Sequence, residues 1–193
     1  MKDNNIEDKI LEAALAVVSE NSISGTRMHL IAEKADMVQS NVHYYFKTKN
    51  NLMLALQKKV VNRCLEIRNN IKDEYKDTLE DQLEIFIQQK LTFLVEEQEY
   101  DVVEVDFWLQ GHNNPEIRKI MQRSFNIWRE GIGDILDKYV PDLEPRKRRY
   151  IPLLTVSLLE GATMQYLIDK DGFEPEEYFK YCKEIILKNI RED

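Results

Sequence analysis

Apolar residues recur along this chain at intervals of three and four, from its first turns to its last. Over residues 6–21, Ile6, Ile10, Ala13, Ala14, Val17 and Val18 fall on one face of a helix. Met28, Ile31, Ala32 and Ala35 repeat the pattern over a shorter stretch, with Thr26 placed to cap the helix start through its hydroxyl. Asp36, Met37 and Val38 interrupt it, and residues 39–46 make a third short helix with Val42 and Phe46 turned inward. A longer fourth helix over 49–72, capped by Thr48, keeps Leu52, Ala55, Leu56, Val60, Cys64 and Ile67 on one side. Five more follow at 78–98, 101–112, 115–139, 146–169 and 175–190. Pro115 and Pro175 stand at first helical positions, where the missing amide is no loss. The pattern predicts an all-α chain of about nine helices, without strands, internal repeats or low-complexity segments.

Two short helices joined by a three-residue turn are the helix-turn-helix unit. With Val42 and Phe46 inward, the other side of the third helix carries Ser40, Asn41, His43 and Tyr44, groups able to meet base edges and phosphates. The net charge of −8 looks wrong for a DNA binder until the chain is divided. Residues 1–70 hold ten Lys/Arg against eight Asp/Glu, and the remainder seventeen against twenty-seven. Nothing between Asp36 and Glu66 is acidic, while Lys47, Lys49, Lys58, Lys59 and Arg63 all fall there. Phosphate binding depends on charge near the nucleic-acid backbone rather than on the protein's total.

Other chemistry is sparse. His29, His43 and His112 are scattered, and there is no glycine-rich phosphate loop, HExxH or paired CxxC, so enzymatic, metal and cofactor readings are set aside. Cys64 and Cys182 read as reduced thiols of a cytoplasmic protein. No apolar run follows Met1 and Lys2 as a signal peptide would require. The nearly uncharged stretch 150–168 is interrupted by Pro152, Thr155, Ser157, Glu160, Thr163 and Gln165, and reads as a buried core helix rather than a membrane span.

The run IAEKADMVQSNVHYYFKTKNNL resembles the DNA-binding signature of the TetR family of one-component repressors, most specifically in its second half, VHYYFKTKNNL. Asp36 stands where the family usually has glycine. Aspartate tolerates a positive φ better than most residues, so a strained but intact turn is expected. The resemblance implies a DNA-binding domain over 1–47 and a ligand-binding and dimerisation domain over 48–193, with the fourth helix as connecting lever. It implies a cytoplasmic regulator, a repressor released from its operator by a small-molecule effector. Carried over residue by residue, it assigns Gln39, Ser40, Asn41 and His43 to base edges and Tyr44, Tyr45 and Lys49 to phosphates, with Arg27 and His29 as further phosphate contacts. It also implies a homodimer through the eighth and ninth helices, along Ile151, Leu154, Leu158, Ala162 and Gln165 on one and Tyr178, Cys182, Ile185 and Asn189 on the other. Paired recognition helices about 34 Å apart would meet successive major grooves of a pseudo-palindromic double-stranded DNA operator. Two C-terminal segments, FWLQGHNNPEIRKIM and LLEGATMQYLIDKDGFEPEE, loosely resemble BetI-type members.

A TetR-like fold implies an effector pocket among the fifth to eighth helices. Phe86, Phe107, Trp108, Met121, Phe125, Trp128 and Met164 are large groups available to line it, with Glu104 and Glu160 as acids. A buried carboxylate is costly unless paired or awaiting a cation, so a lipophilic or cationic effector is one expectation and a structural salt bridge at Glu160 the other. The competing function is a helical protein-interaction module without DNA binding. Asp36 is its only support, and the basic run beside the recognition helix argues against it.

Overall fold

The structure, a computed structural model, describes residues 2–192, with side chains from Asn5 onward. Nine α-helices and no strand are present among the described residues: α1 (Lys2–Gly25), α2 (Met28–Lys34), α3 (Gln39–Tyr45), α4 (Lys49–Ile71), α5 (Leu79–Leu91), α6 (Gln98–Asn113), α7 (Pro115–Tyr139), α8 (Pro145–Ile168) and α9 (Pro175–Arg191). The all-α architecture is the one the periodicity predicts. Local chemistry sets several starts. Thr48 accepts the Asn51 amide at 3.1 Å before α4, and Thr78 accepts the Asp81 amide at 3.2 Å before α5. Asn114 accepts the amides of Glu116 and Ile117 at 3.0 and 3.3 Å ahead of α7. Each side-chain oxygen satisfies a donor that the first helical turn leaves unbonded.

Thr26 does not cap α2. Arg27 holds that position with extended backbone and no side-chain cap, and the buried Thr26 hydroxyl donates back to the Ser22 carbonyl at 2.7 Å. The cause lies in Ser22, whose backbone at φ 60, ψ 165 breaks α1. That region is open to glycine and costs other residues about 1–3 kcal/mol. A second difference concerns α5, which ends at Leu91 and runs through a π turn, Thr92–Glu96, to an α6 that begins at Gln98. No glycine or proline divides this stretch, so the helix loosens rather than stops.

By packing, the chain divides into two compact units, Met1–Arg63 with Gln98–Gln122 and Cys64–Glu97 with Arg123–Asp193. This division cuts across the functional boundary expected between residues 47 and 48, because α6 lies along α1 and Lys59 of α4 pairs with Glu12 of α1 at 2.9 Å. The first unit buries Ile10, Leu15, Ile31, Val42, Leu56 and Phe107. In the second, α9 packs on α5 and α8 over Leu83, Ile132, Leu136, Leu159, Phe179 and Ile186.

Helix α8 is not wholly core. It buries Ile151, Val156, Leu159 and Ala162, yet leaves Leu153 and Leu154 at 41%, Met164 at 61% and Ile168 at 88% exposed. By length and composition alone it could cross a membrane, though 44% of its apolar stretch is buried inside the fold. Ile151, Ala162 and Cys182, expected in the dimer stripes, are buried within the subunit. Leu154 and Gln165 of the expected stripe are exposed and Leu158 half-buried, and Leu153, Gly161, Met164 and Ile168 also face outward or stand partly open, with room for a Cβ at Gly161.

Candidate nucleic-acid interface and ligand residues

The helix-turn-helix lies wholly in the first unit. Helix α3 buries Val42 and is followed by buried Phe46, so its opposite side stands in solvent. Gln39, Ser40 and Asn41 are exposed, Tyr44 is 71% exposed, and His43 and Tyr45 are half-buried. The Gln39 amide nitrogen sits 3.3 Å from His43 Nε2 one turn on. The rings of Tyr44 and Tyr45 meet edge-on at 5.2 Å, with the Lys47 ammonium 5.5 Å from the Tyr44 ring. Arg27 and His29, at the start of α2, are exposed.

The turn between α2 and α3 is held by Asp36 at φ 52, as expected of the residue in the glycine position. Its amide donates to the Glu33 carbonyl at 3.0 Å and the Met37 amide to the Ala32 carbonyl at 2.9 Å. These are the two bonds of a Schellman stop, which closes a helix around one left-handed residue.

Lys49 is engaged differently from the phosphate contact expected. Its ammonium donates to the carbonyls of Ile23 and Thr26, the latter at 2.7 Å. Burial, then the nearby Arg27 charge, lowers its pKa, against a smaller opposing effect of Asp106. The same joint is held from α6, where the Asp106 carboxylate accepts the Ile23 amide and the Gln110 amide reaches the Ser24 hydroxyl at 3.2 Å. Thus the strained backbone at Ser22 is bracketed by α4 and α6. Lys47, omitted from the expected contacts, is the exposed cation beside the recognition helix.

The residues expected to line an effector pocket fall in both units. In the first, Glu104, Phe107 and Met121 are buried and Trp108 half-buried; the Met121 sulfur accepts the Gln57 amide at 3.0 Å. In the second, Phe86 and Trp128 are buried with ring centroids 6.0 Å apart. Phe125 is half-buried, with the Arg129 guanidinium 5.8 Å from its ring. Glu160 is buried and bonded to the equally buried Lys90 at 2.8 Å. That pairing matches the salt-bridge reading of Glu160, whose charge is balanced from α5. Met164 is directed outward and belongs to the exposed stripe of α8 rather than to an interior lining. Among the described residues, no group of three or more His, Cys, Asp or Glu is arranged to hold a metal ion.

Residues 10–56 match the family model described as bacterial regulatory proteins, tetR family. Over that segment the chain matches the TetR family's DNA-binding module. Relatives extend the match. A 65-residue stretch, 34% of this chain and 32% of the relative, is 38% identical to an HTH-type transcriptional regulator from the dhlA 5′ region of Xanthobacter autotrophicus, so the chain matches about a third of that protein's length. The HTH-type transcriptional regulator YvdT of Bacillus subtilis is 26% identical over 185 residues, 92% of this chain and 90% of that one. Among solved structures, a protein of Saccharomonospora viridis in complex with choline superposes with a TM-score of 0.85 at 18% identity, covering 98% of this chain and 100% of the other. The transcriptional regulator FadR of Bacillus subtilis, in complex with stearoyl-CoA, does so with 0.73 at 17% identity, covering 95% and 98%. These likenesses establish the TetR fold.

The chain presents its amide-rich α3 face on a short helix buried along its other side. Two features of the second unit lay beyond the sequence argument. Gln89 is fully buried with neither amide atom bonded, and Arg68 lies over the Phe86 and Trp128 rings at 4.5 and 5.4 Å. An amide within an apolar run was the only advance signal of the first. The second had none, since Arg68 reads as one more charge on the solvated side of a long helix.

Proposed function

We propose that this regulator is a homodimeric repressor that a small molecule releases from a pseudo-palindromic operator. The observation that carries the reading is the face of α3, where Gln39, Ser40, Asn41 and His43 stand outward from a helix anchored by Val42. Side-chain amides pair bidentately with adenine in the major groove, and an imidazole reaches a guanine acceptor. Tyr44, Tyr45, Arg27 and His29 lie where phosphate contacts would fix the register, with Lys47 as the cation free to join them. Lys49 acts through the backbone of the α1–α2 joint. The outward stripe of α8, with Tyr181 and Ile185 of α9 at 63% and 38% exposed, is the face that a second copy would cover. In this reading residues 1–47 meet DNA, and 48–193 bind the effector and pair the subunits in the cytoplasm. Solved relatives of the same fold carry choline or stearoyl-CoA, which supports a small-molecule effector here.

The test is binding of the purified protein to its own upstream DNA at two salt concentrations. Retardation should survive an excess of unrelated DNA. Asn41→Ala should lose about 1–3 kcal/mol of discrimination at one operator position. Lys47→Ala should weaken binding to every sequence and reduce the slope of log K against log salt by about one. Binding that ignores sequence, or no binding at low salt to this fragment and to a selected random-sequence pool, overturns the reading in favour of a protein-interaction module.

A further inference from the structure

Within the second unit, one half-buried cation lies over two aromatic rings without an acid partner. Several acids of this part of the chain pair with bases: Glu160 with Lys90 at 2.8 Å, Asp77 with Lys138 at 2.5 Å, Glu84 with Lys183, Glu80 with Arg191 and Asp137 with Arg148. Arg68, on α4, has no carboxylate within salt-bridge distance and no hydrogen-bond acceptor for its guanidinium among the described residues. It lies instead over two aromatic faces, 4.5 Å from the Phe86 ring centre and 5.4 Å from that of Trp128. Burial lowers its pKa, against a smaller opposing effect of the Cys64 thiol one turn back. Cation–π contact returns about 0.5–2 kcal/mol, and the guanidinium is only half-buried, so part of it remains open to a further partner. A guanidinium offers five N–H donors in a planar fork that matches a carboxylate or phosphate.

A second, independent observation lies one turn along α5. Gln89 follows Phe86 by three residues, which puts it on the same side of the helix. It is 0% exposed, and both its amide nitrogen and its amide oxygen lack a partner. An unmade hydrogen bond at a buried polar atom costs about 1–3 kcal/mol. Helix α7 makes room for the Phe86 ring: a Cβ at Gly131 would stand 3.0 Å from Phe86 Cζ.

We propose that the effector is an organic anion with an apolar body, whose acid group is received by the Arg68 guanidinium and whose next polar atom is read by the Gln89 amide. The proposal rests on the effector reading above and deepens it. It also reverses the charge that Glu160 suggests in the sequence. Lys90 neutralises that carboxylate, and Arg68 already covers the aromatic faces that a quaternary ammonium group would need.

The test holds the tail constant and changes the head. Decanoate, decyl phosphate, decanol and decyltrimethylammonium, each below its micelle concentration, are titrated into the full-length protein by calorimetry without DNA, and separately into the protein–DNA complex. Decanoate or decyl phosphate should bind at least tenfold tighter than decanol, and the trimethylammonium compound weakest. The two anions distinguish a carboxylate from a phosphate effector. Arg68→Gln should erase the preference for anions, Arg68→Lys should keep part of it, and Gly131→Ala should weaken all heads together by displacing Phe86. A melting temperature for each variant shows that it is folded. Equal affinity for all heads, tighter binding of the cation, or an anion preference that survives in Arg68→Gln overturns the proposal. If the preference and its loss are seen but no ligand releases DNA, the anion site stands and the effector reading falls. If a neutral or cationic ligand releases DNA, the reverse holds.

Discussion

Asp36 allows a sharp test of how the helix-turn-helix is held. It occupies the left-handed position of the Schellman stop at φ 52, it is exposed, and both bonds of the motif use backbone atoms. Substitution there changes conformational cost and little else. A left-handed conformation costs an ordinary L-residue about 1–2 kcal/mol, less for aspartate and nothing for glycine. Glycine also loses more freedom on folding, by about 0.4–1 kcal/mol. Asp36→Gly should therefore stabilise the protein by about 0.5 kcal/mol, and Asp36→Ala should destabilise it by a similar amount. For a chain of this size each kcal/mol moves the melting temperature by about 2–4 °C. Melting followed by circular dichroism should rank glycine first, asparagine close to aspartate, and alanine last, within a span of about 2–4 °C. DNA affinity should be the same for the glycine variant and the parent, since the turn already has the conformation that glycine would adopt. The reasoning is refuted if alanine melts with or above glycine, or if Asp36→Gly gains operator binding that the parent lacks. The second result would mean that aspartate distorts the recognition helix.

Two further predictions concern the second unit. Lys90→Met alone should destabilise by about 3–5 kcal/mol because it strands a buried carboxylate, whereas Lys90→Met with Glu160→Leu should recover most of that; a double variant no better than the single would show that the pair is not coupled. Burial, then contact with the Cys182 thiol, pushes the Tyr178 phenol up to about 12, and its hydroxyl donates to the Leu158 carbonyl at 3.0 Å. Because the folded state favours the neutral phenol, its contribution is complete below the ordinary value of 10.0 and is lost as pH rises through about 12. Absorbance titration should show a late-titrating tyrosine that Tyr178→Phe removes, and an unchanged titration curve in that variant would refute the assignment.

Much of this fold is legible in the sequence because spacing alone decides it. The three-and-four repeat that places Val42 inward is the same fact that leaves Asn41 and His43 outward. Thr48 and Thr78 cap where a hydroxyl just before an apolar period should. Thr26 fails the same rule because α2 starts one residue later, with Arg27 at the cap position, after a backbone break at Ser22 that no residue type announces. Lys49 fails for a related reason: side-chain charge is visible in a sequence, but carbonyls left over at a helix joint are not. The ligand residues were the least legible. Whether Glu160 is paired depends on Lys90, seventy positions away, and whether Phe86 and Trp128 are open or covered depends on Arg68 from a third helix.

The outward stripe of α8 has an arithmetic of its own if two copies meet along it. In a twofold pair every residue of the stripe occurs twice, so a change at Gly161 that costs one chain about 1 kcal/mol costs the pair about 2, some thirtyfold in association rather than five or six. A cell holding two versions of the gene would form mixed pairs bearing one altered face, about half as impaired as the altered homodimer. Variation along this helix would then show incomplete dominance, whereas a fault in α3 carried by one copy would disable a half-site in every mixed pair and behave as dominant.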